Sequence, residues 1–349
     1  MIHPAAIDAS EVLQRPVLPR RPRPIVSVGA GTIVRDAHLP AYKLAGFPLA
    51  CAYDLDGEKA EALARDFGIP RVAQSLADAV ASAPDRAVFD LAVPALAIPS
   101  VLAELPDGAA VLIQKPMGEN IGEARAILEA CRRKRLLAAV NFQLRFAPCV
   151  IASRDLVARG AIGDLHDVEV RVTCHMPWEL WKFLFGIPRM EIVYHSVHYV
   201  DLVRSFFGEP SGAYCKTLKH PKQMDLASTR TGILFDYGDV RRATVTTNHG
   251  HAFGPRHQES YLKLEGTTGA IKARLGVNLD YPRGLPDALE YCQLGAGDTP
   301  GDWREIPLVG SWFPHAFIGT MASLMRRADG ETSELPTAVE DAFRTMAVV

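Results

Sequence analysis

No Cys-x-x-Cys pair occurs in this 349-residue chain, and its six cysteines (Cys51, Cys131, Cys149, Cys174, Cys215 and Cys292) follow no disulfide-like spacing. They read as reduced core residues of a cytoplasmic protein. An excess of basic charge is also missing. With 38 Lys and Arg against 40 Asp and Glu, the formal charge is −2, which argues against nucleic acid or an anionic membrane as the main partner. A small molecule is the expected target. No apolar run reaches the ~18 residues that a transmembrane helix requires. Internal repeats and low-complexity tracts are absent as well. What remains, 48% hydrophobic and 22% charged, is ordinary for a globular protein long enough to form two domains.

Two basic segments invite a targeting reading. Arg20-Arg21 lies in a Pro- and Arg-rich stretch, 1–24, but an apolar strand follows at once where a twin-arginine signal would carry its cleavable segment. A mobile or draped N-terminal arm is expected there. Arg132-Arg133-Lys134-Arg135 fits the solvated last turn of a helix, where cations complement the dipole.

From Ile25 to Phe142, apolar strands alternate with amphipathic helices, as a parallel sheet with crossover helices requires. The pattern predicts strands over 25–28, 49–53, 87–92, 110–113 and 136–141, and helices over 58–67 and 121–133. After Arg145 one helix (148–159, closed by Gly160) leads into β-rich stretches over 164–173, 231–237, 242–247, 261–265 and 270–274, separated by polar turns. An open, mixed or antiparallel sheet fits them. The expected organisation is therefore an arm (1–24), a dinucleotide-binding domain (25–142) and a C-terminal α/β domain (143–349).

The strand 25–28 runs into Gly29-Ala30-Gly31-Thr32-Ile33, then a helix-compatible stretch. Such a turn brings backbone close to a pyrophosphate whose charge rests on the helix N-terminus. Val34 stands where the full fingerprint has its third glycine. Asp54 closes the second strand, 20 residues after Val34, placed to accept hydrogen bonds from the adenosine ribose and to repel a 2′-phosphate. NAD is thus favoured over NADP. Val93-Pro94, after the third strand, is expected to shape the backbone beside the cofactor.

Lys115, with Gln114 before it and Pro116 after, follows a strand that ends at the carboxyl edge of the parallel sheet, where ligands bind in open α/β folds, so Gln114 and Lys115 are expected at the cofactor. In the segment 191–207, Tyr194, His198 and Asp201 lie at i, i+4 and i+7, one face of an α-helix. A histidine of ordinary pKa ~6.5 suits proton exchange near neutral pH. A tyrosine would need its pKa lowered by about 3 units, which Lys115 and a cationic nicotinamide could bring about. Both assignments stay open, and Asp201 either orients His198 or pairs with a cation such as Arg204.

The pieces Gly29-Ala30-Gly31-Thr32-Ile33, His38-Leu39-Pro40-Ala41, Lys115-Pro116, 141–148 (NFQLRFAP) and His198-Tyr199-Val200-Asp201 resemble the glucose-fructose oxidoreductase, inositol dehydrogenase and MocA (Gfo/Idh/MocA) family. The resemblance covers nearly everything after the arm. It implies a doubly wound Rossmann domain followed by an α/β domain whose open sheet builds a homodimer or homotetramer. It also implies oxidoreductase activity, hydride passing between NAD and a secondary alcohol or ketone of a sugar, sugar acid or cyclitol. By the same resemblance Lys115 matches the lysine of the Glu-Lys-Pro motif and His198 the histidine of Asp-x-Gly-x-His. Gln114 replaces the usual glutamate, and Tyr194 and Ser196 stand at the aspartate and glycine. Alternatives are a relative that uses tightly bound NAD for redox-assisted elimination or hydrolysis, and a non-enzymatic NAD-binding sensor.

The remaining candidates carry a structural reading beside the functional one. Asn141 and Arg145 lie where the last Rossmann strand delivers the chain, so substrate or cofactor contact is expected. His195 is either a substrate contact or a hydrogen-bonded structural histidine. Trp178, with Trp181, Phe183 and Phe185, either walls a pocket or covers the sheet. Asn248-His249-Gly250-His251, with Arg256 and His257, reads as a polar substrate-side loop, since no carboxylate or cysteine is spaced to complete a metal shell.

Overall fold

The structure, a computed structural model, describes residues 7–349. In chain order it forms β1 (Ile25–Val28), α1 (Leu39–Leu44), β2 (Leu49–Tyr53), α2 (Gly57–Phe67), α3 (Leu76–Ala81), β3 (Val88–Leu91), α4 (Ile98–Glu104), β4 (Ala110–Ile113), α5 (Ile121–Arg133) and β5 (Leu137–Val140). The five strands are all parallel, in the order β2-β1-β3-β4-β5. β1, β3 and β4 are buried along their whole length, as strands covered on both faces must be, and their sequences are correspondingly near-continuous apolar runs. The helices carry the expected stop and start chemistry. Asp56 caps α2 and Gly68 ends it at φ +69°, while at the start of α5 the Asn120 side chain accepts the Glu123 amide and the Glu123 carboxylate accepts the Glu119 amide.

The second half begins with α6 (Pro148–Ala158) and β6 (Leu165–Thr173), then α7 (Val197–Phe207), β7 (Gly212–Leu218), β8 (Arg230–Tyr237), β9 (Arg241–Asn248), β10 (Glu259–Gly266), β11 (Gly269–Arg274), β12 (Ala288–Gln293) and β13 (Arg304–Glu305). These strands make one eight-stranded sheet, β13-β12-β11-β10-β6-β9-β8-β7, antiparallel except for the β6/β9 pair. Burial alternates along β8 and β9, the signature of a sheet with one face packed and one face open. The chain finishes with α8 (Ala316–Ala328) and α9 (Val339–Val348). The fold class is thus the expected one, a Rossmann sheet with a second, largely antiparallel sheet.

The chain divides into two compact units, and this division corrects the expected boundaries. One unit comprises Pro16–Phe146 with Phe313–Ala347, the other 7–15 with Ala147–Trp312 and the last two residues. The end of the Rossmann half falls close to Phe142, but 313–347 joins the Rossmann unit instead of the C-terminal one. The cause is apolar: Phe317, Met321, Leu324 and Met325 of α8 are fully buried in one core with Ile25, Leu39, Val88 and Leu112. Gly319 allows the approach, since a Cβ there would meet the Phe146 side chain at 2.4 Å. The arm is draped. The Leu13 amide donates to Asp155, and further along Arg20 and Arg23 bond Glu331 and Asp329. Five of the six cysteines are buried, whereas Cys215 on β7 is exposed. Among the described residues no helix is long and apolar enough to cross a membrane.

Candidate functional site

The strand order of the Rossmann unit reverses between β1 and β3, and ligands of open α/β sheets bind at that switch point. Gly29 sits there at φ +107°, and a Cβ on it would lie 2.4 Å from the Ala92 carbonyl oxygen. Only glycine satisfies both conditions. Gly31 differs: a Cβ there meets nothing within 4 Å, so the protein itself leaves room at this turn. Gly31 and Thr32 are exposed and Ile33 is half-buried where helical structure begins at Thr32. Unbonded N–H groups at such a terminus suit a pyrophosphate. Val34 is fully buried and opens a π-type turn, Val34–His38, that precedes α1. Asp54 joins the turn to β2: its carboxylate accepts the Ala30 amide at 2.7 Å and the Asp56 amide at 2.9 Å. Half-buried Val93 and exposed Pro94 follow β3 on the same edge. These residues fit a dinucleotide.

Behind the edge lies a polar cluster that composition and spacing do not announce. His38 is fully buried. Its Nδ1 lies 2.8 Å from Asp90 Oδ2, which also accepts the Tyr42 hydroxyl at 3.0 Å. Its Nε2 lies 2.8 Å from Gln114 Nε2 and 3.3 Å from Asn141 Nδ2. Gln114 Oε1 in turn accepts the Lys115 backbone amide at 2.8 Å. Lys115 follows β4 through a cis peptide bond to Pro116. Burial disfavours its ammonium form and pulls its pKa from 10.5 to about 8.

Two residues expected at the substrate are bonded within the protein. Asn141 is fully buried, and its Oδ1 accepts the Thr320 hydroxyl of α8 at 2.7 Å. The Arg145 guanidinium pairs with Asp341 at 2.6 Å and donates to the Pro336 carbonyl. Both residues tie the last segment of the chain to the Rossmann sheet. Gln114, expected at the cofactor, is buried with its amide shared between His38 and Lys115.

In the other unit, the helix expected over 191–207 is regular only from Val197. Its first turn, Ile192–Ser196, is of π type, and such widened turns gather at functional sites. Tyr194 and His195 are half-buried on this turn. His198 and Asp201 lie on α7, with 7% and 1% of their surface exposed. Phe183 meets the Tyr194 ring edge-on at 5.7 Å and Trp312 meets His198 at 6.2 Å. Arg204 pairs with Glu209.

Glu191, to which no sequence pattern assigns a role, anchors the π turn. It is fully buried and accepts bonds from the hydroxyls of Ser196 and Thr247 at 2.8 Å and of Thr231. His249 Nε2 stands 3.1 Å from the same carboxylate, and its Nδ1 is 3.4 Å from Cys174 Sγ. The His249 ring lies 5.0 Å from that of His195, and Trp178, 3% exposed, packs edge-on against both. So His249 is a core residue beneath the helix, which corrects its placement on a substrate-side loop. Burial opposes charge on both members of the pair. The bonds from His249, Thr231 and Ser196 outweigh it at Glu191 and lower that pKa; Cys174 and Glu191 outweigh it at His249 and raise that one to about 10.

A Gly-rich turn at the switch point, a carboxylate closing β2 and a lysine closing β4 define a dinucleotide-dependent oxidoreductase. Residues 24–142 match the oxidoreductase family with an NAD-binding Rossmann fold, and 150–272 match the GFO/IDH/MocA C-terminal domain. The chain belongs to the Gfo/Idh/MocA oxidoreductase family and is an NAD(P)-dependent dehydrogenase. It is 28% identical to D-apiose dehydrogenase of Paraburkholderia graminis over 99% of this chain and 90% of that protein. It is 26% identical to 1,5-anhydro-D-fructose reductase of Ensifer adhaerens over 71% and 74%. Among solved structures, an oxidoreductase from Agrobacterium radiobacter in complex with NAD+, L-tartaric acid and magnesium superimposes with a TM-score of 0.77, covering 94% of both chains at 17% identity.

Proposed function

We propose that this protein oxidises a secondary alcohol of a sugar, sugar acid or cyclitol, or reduces the matching ketone, with NAD as hydride carrier. The observation that carries the reading is Lys115, a lysine with its pKa brought to about 8, at the carboxyl edge of the same sheet that presents the Gly29–Gly31 turn. A nicotinamide, when bound, accepts or returns the hydride. Gly31, Thr32 and Ile33 hold the pyrophosphate end, and Asp54 takes the adenosine ribose, its charge favouring NAD over the phosphorylated cofactor. The Val93-Pro94 step flanks the carrier.

Lys115 donates a hydrogen bond to the reacting oxygen and stabilises charge there as the proton leaves. His198 accepts that proton. Tyr194 and His195 bind neighbouring hydroxyls, and Asp201 keeps α7 in register beneath His198. The names of the relatives, a D-apiose dehydrogenase and a 1,5-anhydro-D-fructose reductase, support a sugar or polyol substrate. The open face of the eight-stranded sheet, with Tyr214 74% and Leu234 51% exposed, supports assembly into a homodimer or homotetramer.

The test follows NADH appearance across a panel of sugars, aldonates and inositols, with NADP+ run in parallel. At least one compound should give steady turnover with NAD+. Lys115→Met and His198→Asn should each lower kcat at least about 100-fold while NAD+ binding stays within a few-fold. Full turnover in both variants would sink the assignment. NADH that never leaves the protein while product forms would point instead to redox-assisted elimination.

A further inference from the structure

We propose that His38 is a positioning residue for Lys115, held as the neutral Nδ1–H tautomer by the Gln114 amide, and that this lock sets the aim of the lysine. The inference rests on the role given to Lys115 above. Its logic is one of donors and acceptors. A backbone N–H can only donate, so the Gln114 atom that meets the Lys115 amide at 2.8 Å is its carbonyl oxygen. The other end of that amide is therefore NH2, and it faces His38 Nε2 at 2.8 Å. A ring nitrogen that receives a donor carries no proton. The ring proton sits on Nδ1 and is donated to Asp90 Oδ2 at 2.8 Å.

Every other neighbour agrees. Asn141 Nδ2, 3.3 Å from the same Nε2, adds a second donor, and its orientation is completed by the Thr320 hydroxyl on Oδ1. Tyr42 donates to Asp90 from α1, the helix that follows His38 directly, and Phe317 covers the ring at 5.1 Å. A single path of hydrogen bonds thus runs from Asp90 in the centre of β3 through His38 and Gln114 to the backbone of Lys115. Four elements meet on one imidazole. Because His38, Asp90, Gln114 and Asn141 are buried, each bond acts in a low dielectric and keeps its strength. Glutamate at 114 would still accept the Lys115 amide, but its other oxygen could face Nε2 only with a proton between them, and the ring nitrogen, the more basic of the two, takes it. The residue type at 114 thereby decides the charge of His38.

The test uses the full-length protein labelled with 15N-histidine and long-range proton–nitrogen correlation spectra. His38 resonances are identified as those missing from His38→Gln. At pH 7 the native protein should show His38 protonated on Nδ1 alone, and Gln114→Glu should show both nitrogens protonated. An Nε2–H tautomer or an imidazolium in the native protein overturns the lock. Positioning is read without substrate, by the rate of reductive methylation of Lys115 followed by peptide mass spectrometry. Gln114→Met, which keeps the length but removes both bonds, should change that rate at least threefold while the exposed lysines react as before. An unchanged rate overturns the positioning role. With any compound that turns over, the same variant should lower kcat about tenfold and leave the KM for NAD+ within twofold. A panel without turnover would remove the sugar dehydrogenase reading and leave the histidine and labelling results standing.

Discussion

The two glycines of the nucleotide turn meet different demands. Gly29 is required by the protein: positive φ and the Ala92 carbonyl at 2.4 Å from a would-be Cβ leave no room for alanine. Gly29→Ala should destabilise the Rossmann unit by about 3 kcal/mol, strain and overlap together, seen as a lowered urea midpoint. Gly31 meets nothing within 4 Å, so Gly31→Ala should leave that midpoint nearly unchanged while NAD+ affinity falls about tenfold by titration. Equal behaviour of the two variants would contradict this separation. Both glycines and Asp54 were legible in the sequence because turn geometry constrains residue type locally. Asn141 and Arg145 were not, since their partners Thr320 and Asp341 lie almost 200 positions away.

At the scale of elements, the helix carrying His198 is fastened through Glu191 and His249. The sign of its pH dependence follows from linkage. His249, raised from 6.5 to about 10, contributes stability in full below pH 6.5 and loses it as pH climbs toward 10. Glu191, lowered from 4.5, contributes above pH 4.5 and loses it as acid is added. The pair therefore helps most between about pH 4.5 and 6.5. Urea midpoints taken from pH 6 to pH 10 should fall in the native protein, and Glu191→Gln should flatten that slope. A slope unaltered by the substitution would place the titrating group elsewhere. Strands β1, β2 and β4 were bounded correctly by pattern, because buried parallel strands are short apolar runs between turn signals. β7 escaped notice because all seven of its residues are exposed and no alternation marks it. The π turn at 192–196 also lay beyond periodicity, which assumes one helical pitch; it is the Glu191 bonds to β8 and β9 that accompany it.

The whole molecule is not assembled in the order of its chain. Residues 313–347 complete the Rossmann unit. Phe317, Met321, Leu324 and Met325 of α8, fully buried there, contribute roughly 2 kcal/mol each, comparable in sum with the ~5–15 kcal/mol that holds a typical domain. A chain ending at Trp312 should accordingly lose near-UV circular dichroism and NAD+ binding together. Retention of NAD+ binding by that truncated chain would show α8 to be dispensable.

The sequence alone determined that β1 runs into a glycine turn, that Asp54 closes β2 and that Lys115 follows β4, since strand pattern, backbone φ and spacing are local properties. Only the tertiary structure decided that α8 returns to the first sheet, that His249 underlies the helix carrying His198, and that His38, Asp90, Gln114 and Asn141 share one buried network. Burial and hydrogen-bond partnership are relations between distant segments, and they exist only once the chain has folded.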